Sequence, residues 1–289
     1  MKKINILTTE RSKIYSEIFP KKENNQILFK NKINKNQIKN IQELVKNLIL
    51  KSLKKYYKKN FSSSKNYLKK YEKYIFNLPN ITPNGSFNCT PEISYEFSKL
   101  HKLFLNTLKQ LGILKYIKNA TSLVLRVRKG ENNYKINRRK YSTSKIHSDA
   151  WNGQFCDSII MLMVDGDIKN NTVEFYSPIN PKKQILRKIE NFEKGNKMYD
   201  GLIFLEKASK GKIYIFDQLC LHKTFIDTKK PRISIDFGVT FKKNKKIKLF
   251  YKNNSKRYQY YSLNEWKKLN YLNISKFKYS FKKLEKKFF

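Results

Sequence analysis

Ile146-His147-Ser148-Asp149-Ala150-Trp151-Asn152-Gly153 is the stretch on which the reading of this chain turns. Read as a strand, it puts side chains two apart on one face, so His147 and Asp149 present an imidazole and a carboxylate side by side. That pair is the start of a divalent-metal site. Only three histidines occur in the chain, His101, His147 and His222. His222 follows the strand-like run Lys212-Ile213-Tyr214-Ile215-Phe216-Asp217, and Arg232 stands beyond it in Pro231-Arg232-Ile233-Ser234-Ile235-Asp236-Phe237. Two imidazoles and one carboxylate that leave other positions open form a set suited to ferrous iron. The positive charge of this chain is nearly all lysine, so an arginine here stands out. Its planar fork holds a carboxylate through two parallel hydrogen bonds, which an ammonium cannot do. Ser234 shares the face of Arg232 and offers a hydroxyl to the same carboxylate.

Around this stretch the periodicity is that of strands. Ser122–Arg128 alternates, with Arg126 and Arg128 on one face and Leu125 and Val127 on the other. Ile159–Val164, Thr172–Tyr176, Leu202–Glu206, Ile213–Asp217 and Ile233–Phe241 read as further strands. A polar loop is expected over Glu131–Lys145, and a short helix over Gln184–Glu193. Upstream the period is helical. Ile38, Ile41, Val45, Leu48 and Leu53 mark a helix over Gln37–Lys58, and another is expected around Tyr67–Phe76. Thr90-Pro91-Glu92 signals a helix start, with Thr90 as the cap; Phe97, Leu100, Phe104, Leu108 and Leu111 form its buried stripe, and Gly112 ends it. His101 lies beside that stripe, and a partly buried or surface histidine is expected rather than a ligand. The first 35 residues are polar and irregular and receive no role. Many short strands preceded by helices make the fold mainly β with flanking helices, a sandwich or jelly roll. The expected division is a helical support region over 1–121, a β core over 122–241 and a basic C-terminal extension over 242–289.

At 289 residues with 39% hydrophobic and 14% aromatic content, the chain has enough material for a globular core. Cys89, Cys156 and Cys220 are odd in number and show no C-x-x-C spacing, which argues against a disulfide framework or structural zinc. Ile159–Val164 is far too short to span a membrane, and the N-terminus lacks the apolar core of a signal peptide, so a cytoplasmic protein is expected. The net charge is +41, and most of the excess lies outside residues 120–241. Abundant Lys, Asn, Ile, Tyr and Phe together form the footprint of an AT-rich genome, so a dedicated nucleic-acid role is not expected. So positive a field still concentrates anions, including anionic substrates. In the tail, Ser262 and Glu265 match a capping box leading into Trp266 and Leu269. Phe277, Phe281, Leu284 and Phe288 recur at helical spacing among lysines. Such a helix can touch an anionic membrane peripherally, although packing on its own domain is the expectation.

From roughly Leu123 to Phe241 the sequence resembles the Fe(II)- and 2-oxoglutarate-dependent dioxygenases of the double-stranded β-helix (jelly-roll, cupin-like) fold. It is most similar to their phytanoyl-CoA hydroxylase-like branch. The H-S-D-A-W-N-G string also resembles oxygenases of bacterial surface-carbohydrate and aminoglycoside biosynthesis. Gly211, Phe216, Asp217 and then His222 match the strand that leads to the family's distal histidine. The resemblance implies His147, Asp149 and His222 as iron ligands, with Arg232 and Ser234 on the distal carboxylate of 2-oxoglutarate. Retention of Asp149 argues against the related halogenases. The branch's G-S-H after the middle strand is replaced here by Tyr176-Ser177-Pro178. The implied cosubstrates are 2-oxoglutarate and O₂, and the implied reaction oxidises a C–H bond as succinate and CO₂ form. Hydroxylation is its usual outcome; epimerisation, desaturation and ring closure are variants.

No catalytic residue beyond the metal ligands is expected. Candidates for the substrate wall are Arg126, Arg128, Trp151, Asn152 and Gln154, with Arg138 and Arg139 as solvated loop charge. Cys220 alternates onto the face of His222 and is expected to be a small buried filler. The substrate is expected to be a small molecule, such as a sugar or an activated, lipid-linked intermediate. Two other readings stay open at this point. One is a metal-dependent cupin-type enzyme that does not use 2-oxoglutarate. The other is a basic nucleic-acid- or membrane-binding protein on a degenerate oxygenase scaffold.

Overall fold

The central strand of the fold is buried on both faces, and the parity of its residues sorts them into two cores. The computed structural model describes residues 13–19, 27–82, 84–130, 139–154, 156–179, 188–218, 220–242 and 259–278. After a short helix over residues 13–18 come β1 (Leu28–Lys32), α1 (Lys35–Tyr57), α2 (Tyr67–Lys70), α3 (Glu72–Phe76), β2 (Ser86–Phe87) and α4 (Ser94–Gln110). The β region follows, with β3 (Ile117–Thr121), β4 (Val124–Arg128), β5 (Ser158–Gly166) and β6 (Asn171–Pro178). Next are α5 (Phe192–Asn196), β7 (Leu202–Lys207), β8 (Lys212–Asp217), β9 (Leu221–Ile226) and β10 (Arg232–Phe241). β11 (Tyr260–Ser262), α6 (Leu263–Lys267) and α7 (Tyr271–Lys278) close the chain.

The strands form two antiparallel sheets. The major sheet runs β1-β8-β5-β10-β3-β11, with β4 pairing both β10 and β2; the minor sheet runs β7-β6-β9. Ile160, Leu162 and Val164 of β5 join Ile213 and Ile215 of β8 and Ile233, Ile235 and Phe237 of β10 in a core with the helices. Ile41, Val45 and Leu48 of α1 and Leu100, Phe104 and Leu108 of α4 supply the helical half of that core. The other parity, Ile159, Met161 and Met163 with Tyr214 and Phe216, packs on Val173 and Phe175 of the minor sheet. The layers are therefore helices, major sheet, minor sheet, and strand alternation decides which side each residue meets. On β10 and β4 that alternation leaves Arg232, Ser234, Asp236, Arg126 and Arg128 on the side away from the helices. Arg232 lies opposite Arg128, and Ser234 opposite Arg126, in the β10–β4 register.

Several elements differ from the sequence reading. Segments on either side of the expected β core add strands to the major sheet: β1 pairs β8, β3 pairs β10 and β11 pairs β3. These strands are short and rich in Lys, Asn or Tyr, so their period is too weak to read locally. Tyr15, from the stretch that received no role, donates its hydroxyl to the Asp157 carbonyl at 3.2 Å. The helix after Thr90 begins as a 3-10 turn over Pro91–Ile93, and Thr90 makes no side-chain capping bond there. The Thr90 hydroxyl is buried and without a hydrogen-bond partner among the described residues. The expected helix over 67–76 breaks at Tyr71.

His101 is 1% exposed, more deeply buried than expected. It donates through Nε2 to the Trp266 carbonyl at 2.8 Å and accepts at Nδ1 from the Tyr271 hydroxyl at 3.3 Å. The capping box at Ser262 and Glu265 forms in both directions. Of the remaining expectations, Gln184, Arg138, Phe281, Leu284 and Phe288 lie outside the described residues. No helix among the described residues is long and apolar enough to cross a membrane.

Candidate metal centre

His147 and His222 come from segments far apart in the chain and meet as a single antiparallel bridge. His147 N–H donates to the His222 carbonyl at 2.9 Å, and His222 N–H returns the bond at 2.8 Å. A mutually bonded pair places both side chains on one side of the ladder, and the two imidazole centroids stand 4.3 Å apart. Asp149 does not lie on a strand, so strand alternation is not what pairs it with His147. Ser148 is extended, and Asp149–Asn152 then form a 3-10 turn that closes at Gly153 with φ of 97°. The turn swings the carboxylate back over the imidazoles. Asp149 Oδ1 lies 3.8 Å from His147 Nε2, and Oδ2 lies 3.7 Å from His222 Nε2. One ligand atom from each residue lies within 4.8 Å of the other two.

The surroundings hold His147 in the form a metal ligand requires and fix the turn that carries Asp149. His147 donates from Nδ1 to the Lys145 carbonyl at 2.7 Å, which leaves the Nε2 lone pair directed at the cluster. Its ring stacks on Phe192 at 4.3 Å and 13°. Burial, seconded by the nearby His222, pushes the His147 pKa down to about 3, so the ring stays neutral. Gln218 fixes the turn: its Oε1 accepts from Ser148 Oγ at 3.1 Å and from the Ala150 N–H at 3.0 Å. Among the described residues no lysine or arginine pairs with Asp149, whose only ionic neighbours are the two histidines. Two converging imidazoles and a carboxylate with no lysine or arginine partner fit a divalent cation.

Across the same cavity lies the opposite imbalance. Arg232 is 2% exposed, and its partners are all neutral: Asn171 Oδ1 at 2.9 Å, Ser234 Oγ at 3.0 Å and Met163 Sδ at 3.5 Å. Burial, with Arg128 and Arg126 nearby, pushes its pKa down to about 9. Arg126 pairs with Asp236, one bond measuring 3.0 Å from Nη2 to Oδ1. Burial also lowers the Arg128 pKa, to about 10. The cavity wall includes His147, Asp149, His222, Arg232, Ser234, Arg126 and Arg128, with Ile159, Met161, Val173 and Phe216 as its apolar part.

Trp151, Asn152 and Gln154 are not part of that wall. Trp151 is fully buried with Ala150, Phe192 and Leu221 beneath the turn, because the 3-10 turn sends the residue after Ala150 inward. Gly195 permits this packing, since a Cβ there would come 2.4 Å from the Trp151 ring. Cys220 is buried away from the cavity and donates weakly to the Leu221 carbonyl. Arg139 reaches Asn84 Oδ1 at 2.6 Å and is half-buried, so it is not simply a solvated loop charge. The sequence reading missed Gln218 and Asn171. Asn171 orients Arg232 while its amide spans the carbonyls of Lys129 and Lys230 at 3.3 and 3.1 Å. The only local signal for either residue is an amide beside a strand end.

No model of a known protein family matches this chain, and no curated relative does. Solved structures do. The non-haem alpha-ketoglutarate-dependent carbocyclase SnoK from nogalamycin biosynthesis is 6% identical over 86% of this chain and 92% of that one, with a TM-score of 0.45. The epimerase SnoN, in complex with Fe3+, alpha-ketoglutarate and nogalamycin RO, is 9% identical over 82% and 84%, with a TM-score of 0.38. The Fe(II)/alpha-ketoglutarate-dependent dioxygenase TqaL is 10% identical over 83% and 91%, with a TM-score of 0.37. These neighbours are iron and ketoglutarate enzymes. So slight a likeness decides nothing about this chain, and the geometry of its own residues has to carry any functional conclusion.

Proposed function

We propose that this chain is a non-haem Fe(II)- and 2-oxoglutarate-dependent dioxygenase on a double-stranded β-helix core, acting on a small molecule. One observation carries the reading. A half-buried carboxylate with no lysine or arginine partner (Asp149) and a buried guanidinium with no anionic hydrogen-bond partner (Arg232) face one cavity, beside two converging imidazoles. A metal answers the first imbalance, and a dicarboxylate that also reaches the metal answers the second. In this reading His147, Asp149 and His222 hold the iron, and Arg232 with Ser234 holds the distal carboxylate of 2-oxoglutarate. When bound, ferrous iron supplies the Lewis-acid and redox chemistry by which O₂ converts 2-oxoglutarate to succinate and CO₂ while a substrate C–H bond is oxidised.

The protein's own contribution is orientation and exclusion of water. The Lys145 carbonyl keeps the His147 proton on Nδ1, so Nε2 is available to a cation. Gln218 and Ser148 hold the turn that aims Asp149. Asn171 fixes Nε of Arg232, turning the other edge of the guanidinium toward the cavity. Ile159, Met161, Val173 and Phe216 line the apolar part, where a dry environment strengthens each ionic contact. Arg126, paired with Asp236, and Arg128 also line the cavity, and in this reading Arg128 would meet an anionic group on the primary substrate. A sugar or an activated, lipid-linked intermediate fits that wall.

The test is an anaerobic titration with Fe(II) and 2-oxoglutarate, following the visible charge-transfer band of the chelate in the wild type and in His147→Ala. A band in the wild type that the substitution abolishes supports the reading, and no band in either refutes it. Metal-dependent activity that survives Arg232→Ala points instead to a cupin-type enzyme without 2-oxoglutarate.

A further inference from the structure

Exposed apolar side chains are normally scattered, yet β7 presents three in succession. Ile203, Phe204 and Leu205 are 51%, 52% and 38% exposed. Among the described residues β7 is the edge of the minor sheet and pairs only with β6. The β6–β7 register shifts between Phe175 and Tyr176, so Leu205 sits at a bulge that interrupts the alternation, and all three side chains stay exposed. Ile179, 60% exposed, adjoins the start of β7, where its N–H donates to the Gly201 carbonyl at 3.1 Å. An edge of this kind is usually blunted by proline or by charge. Residues 202–205 carry neither, and charge enters β7 only at its end, at Glu206 and Lys207.

Lysines ring the strand. Lys30 and Lys212 share Glu206 at 2.6 and 3.9 Å, and Lys207 and Lys223 share Glu174 at 3.2 and 3.1 Å. Four ammoniums around two carboxylates leave this rim positive. We propose that this edge docks on an anionic lipid bilayer, with Ile203, Phe204 and Leu205 entering the headgroup region and the lysines meeting lipid phosphates. Charge selects this occupant over a second copy of the chain. Two molecules of +41 repel one another, whereas an acidic bilayer attracts each of them. The outer edge of β7 also limits the depth. Its backbone groups have no strand partner among the described residues and need water or headgroup partners, so the strand lies at the interface rather than in the hydrocarbon. None of this depends on the chemistry at the metal centre.

The test uses the full chain with phosphatidylcholine vesicles, with and without phosphatidylglycerol, in a sedimentation assay. Phe204→Ser/Leu205→Ser leaves net charge unchanged and is expected to weaken partitioning onto the acidic vesicles about tenfold or more. Equal binding of variant and wild type would assign the attraction to lysine charge alone and overturn the proposal, as would failure of the wild type to bind. Phe204→Trp gives a second readout. Trp151 and Trp266 are fully buried, so an emission blue shift on adding vesicles, with quenching by interfacially brominated lipid, reports β7. Absence of that shift also overturns the proposal. Sedimentation equilibrium without vesicles tests the rival occupant: a dimer abolished by the double substitution would assign the edge to self-association instead.

Discussion

Replacing Arg232 by methionine should strengthen the ligand-free protein while abolishing its response to 2-oxoglutarate. The guanidinium is 2% exposed and bonded only to neutral groups. Depression of its pKa from 12.5 to about 9 corresponds to roughly 5 kcal/mol at about 1.4 kcal/mol per tenfold change. Methionine fills similar volume without charge. It strands Asn171 Oδ1 and Ser234 Oγ, at a combined cost of about 3 kcal/mol. The net expectation is a gain of about 1–2 kcal/mol, in line with other replacements of buried ions by apolar groups. Ligand reverses the order. At a hundredfold excess over its dissociation constant, 2-oxoglutarate with metal stabilises the wild type by about 2.7 kcal/mol, and the variant gains none of that from its distal carboxylate. Urea denaturation with and without Mn(II) and 2-oxoglutarate measures both arms. A ligand-free variant weaker than wild type by 2 kcal/mol or more, or a wild type that ignores 2-oxoglutarate, would refute the reasoning.

Three further outcomes follow from the same geometry. Gln218→Ala removes the acceptor that Ser148 and Ala150 share, and metal affinity by equilibrium titration should fall about 10–100-fold with the circular dichroism unchanged. Gly166 has φ of 93°, and a Cβ there would meet the Pro231 carbonyl oxygen at 2.2 Å and Arg232 Cα at 2.7 Å. Gly166→Ala should therefore cost about 1–3 kcal/mol in urea and weaken 2-oxoglutarate binding by moving the Arg232 backbone. His101 has its pKa pushed from 6.5 to about 4 by burial. As pH falls, the unfolded chain takes up the proton first, so the stability from His101 is whole above pH 6.5 and drains away toward pH 4. The loss is roughly 3 kcal/mol, and His101→Gln should flatten that part of the stability profile; an unchanged slope would refute it.

What the sequence determined by itself was the candidate set of metal-ligating and carboxylate-binding residues and the parity of the main strands. Three histidines and few arginines in a lysine-rich chain make H-x-D, His222 and Arg232 conspicuous. The alternation in β5, β8 and β10 already separates Ile233 and Ile235 from Arg232 and Ser234, because side-chain direction on a strand is a local property. Tertiary structure alone decided how these groups meet. Asp149 reaches the imidazoles through a capped 3-10 turn rather than along a strand, and the two histidines meet only because distant segments form one bridge. That turn sends Trp151 into the core, and the amides of Gln218 and Asn171 acquire roles only from partners distant in the chain. The strands β1, β3 and β11 likewise join the sheet by pairing across the molecule. Strand pairing and burial of unmatched charge depend on contacts between residues far apart in the chain, and no local period encodes them.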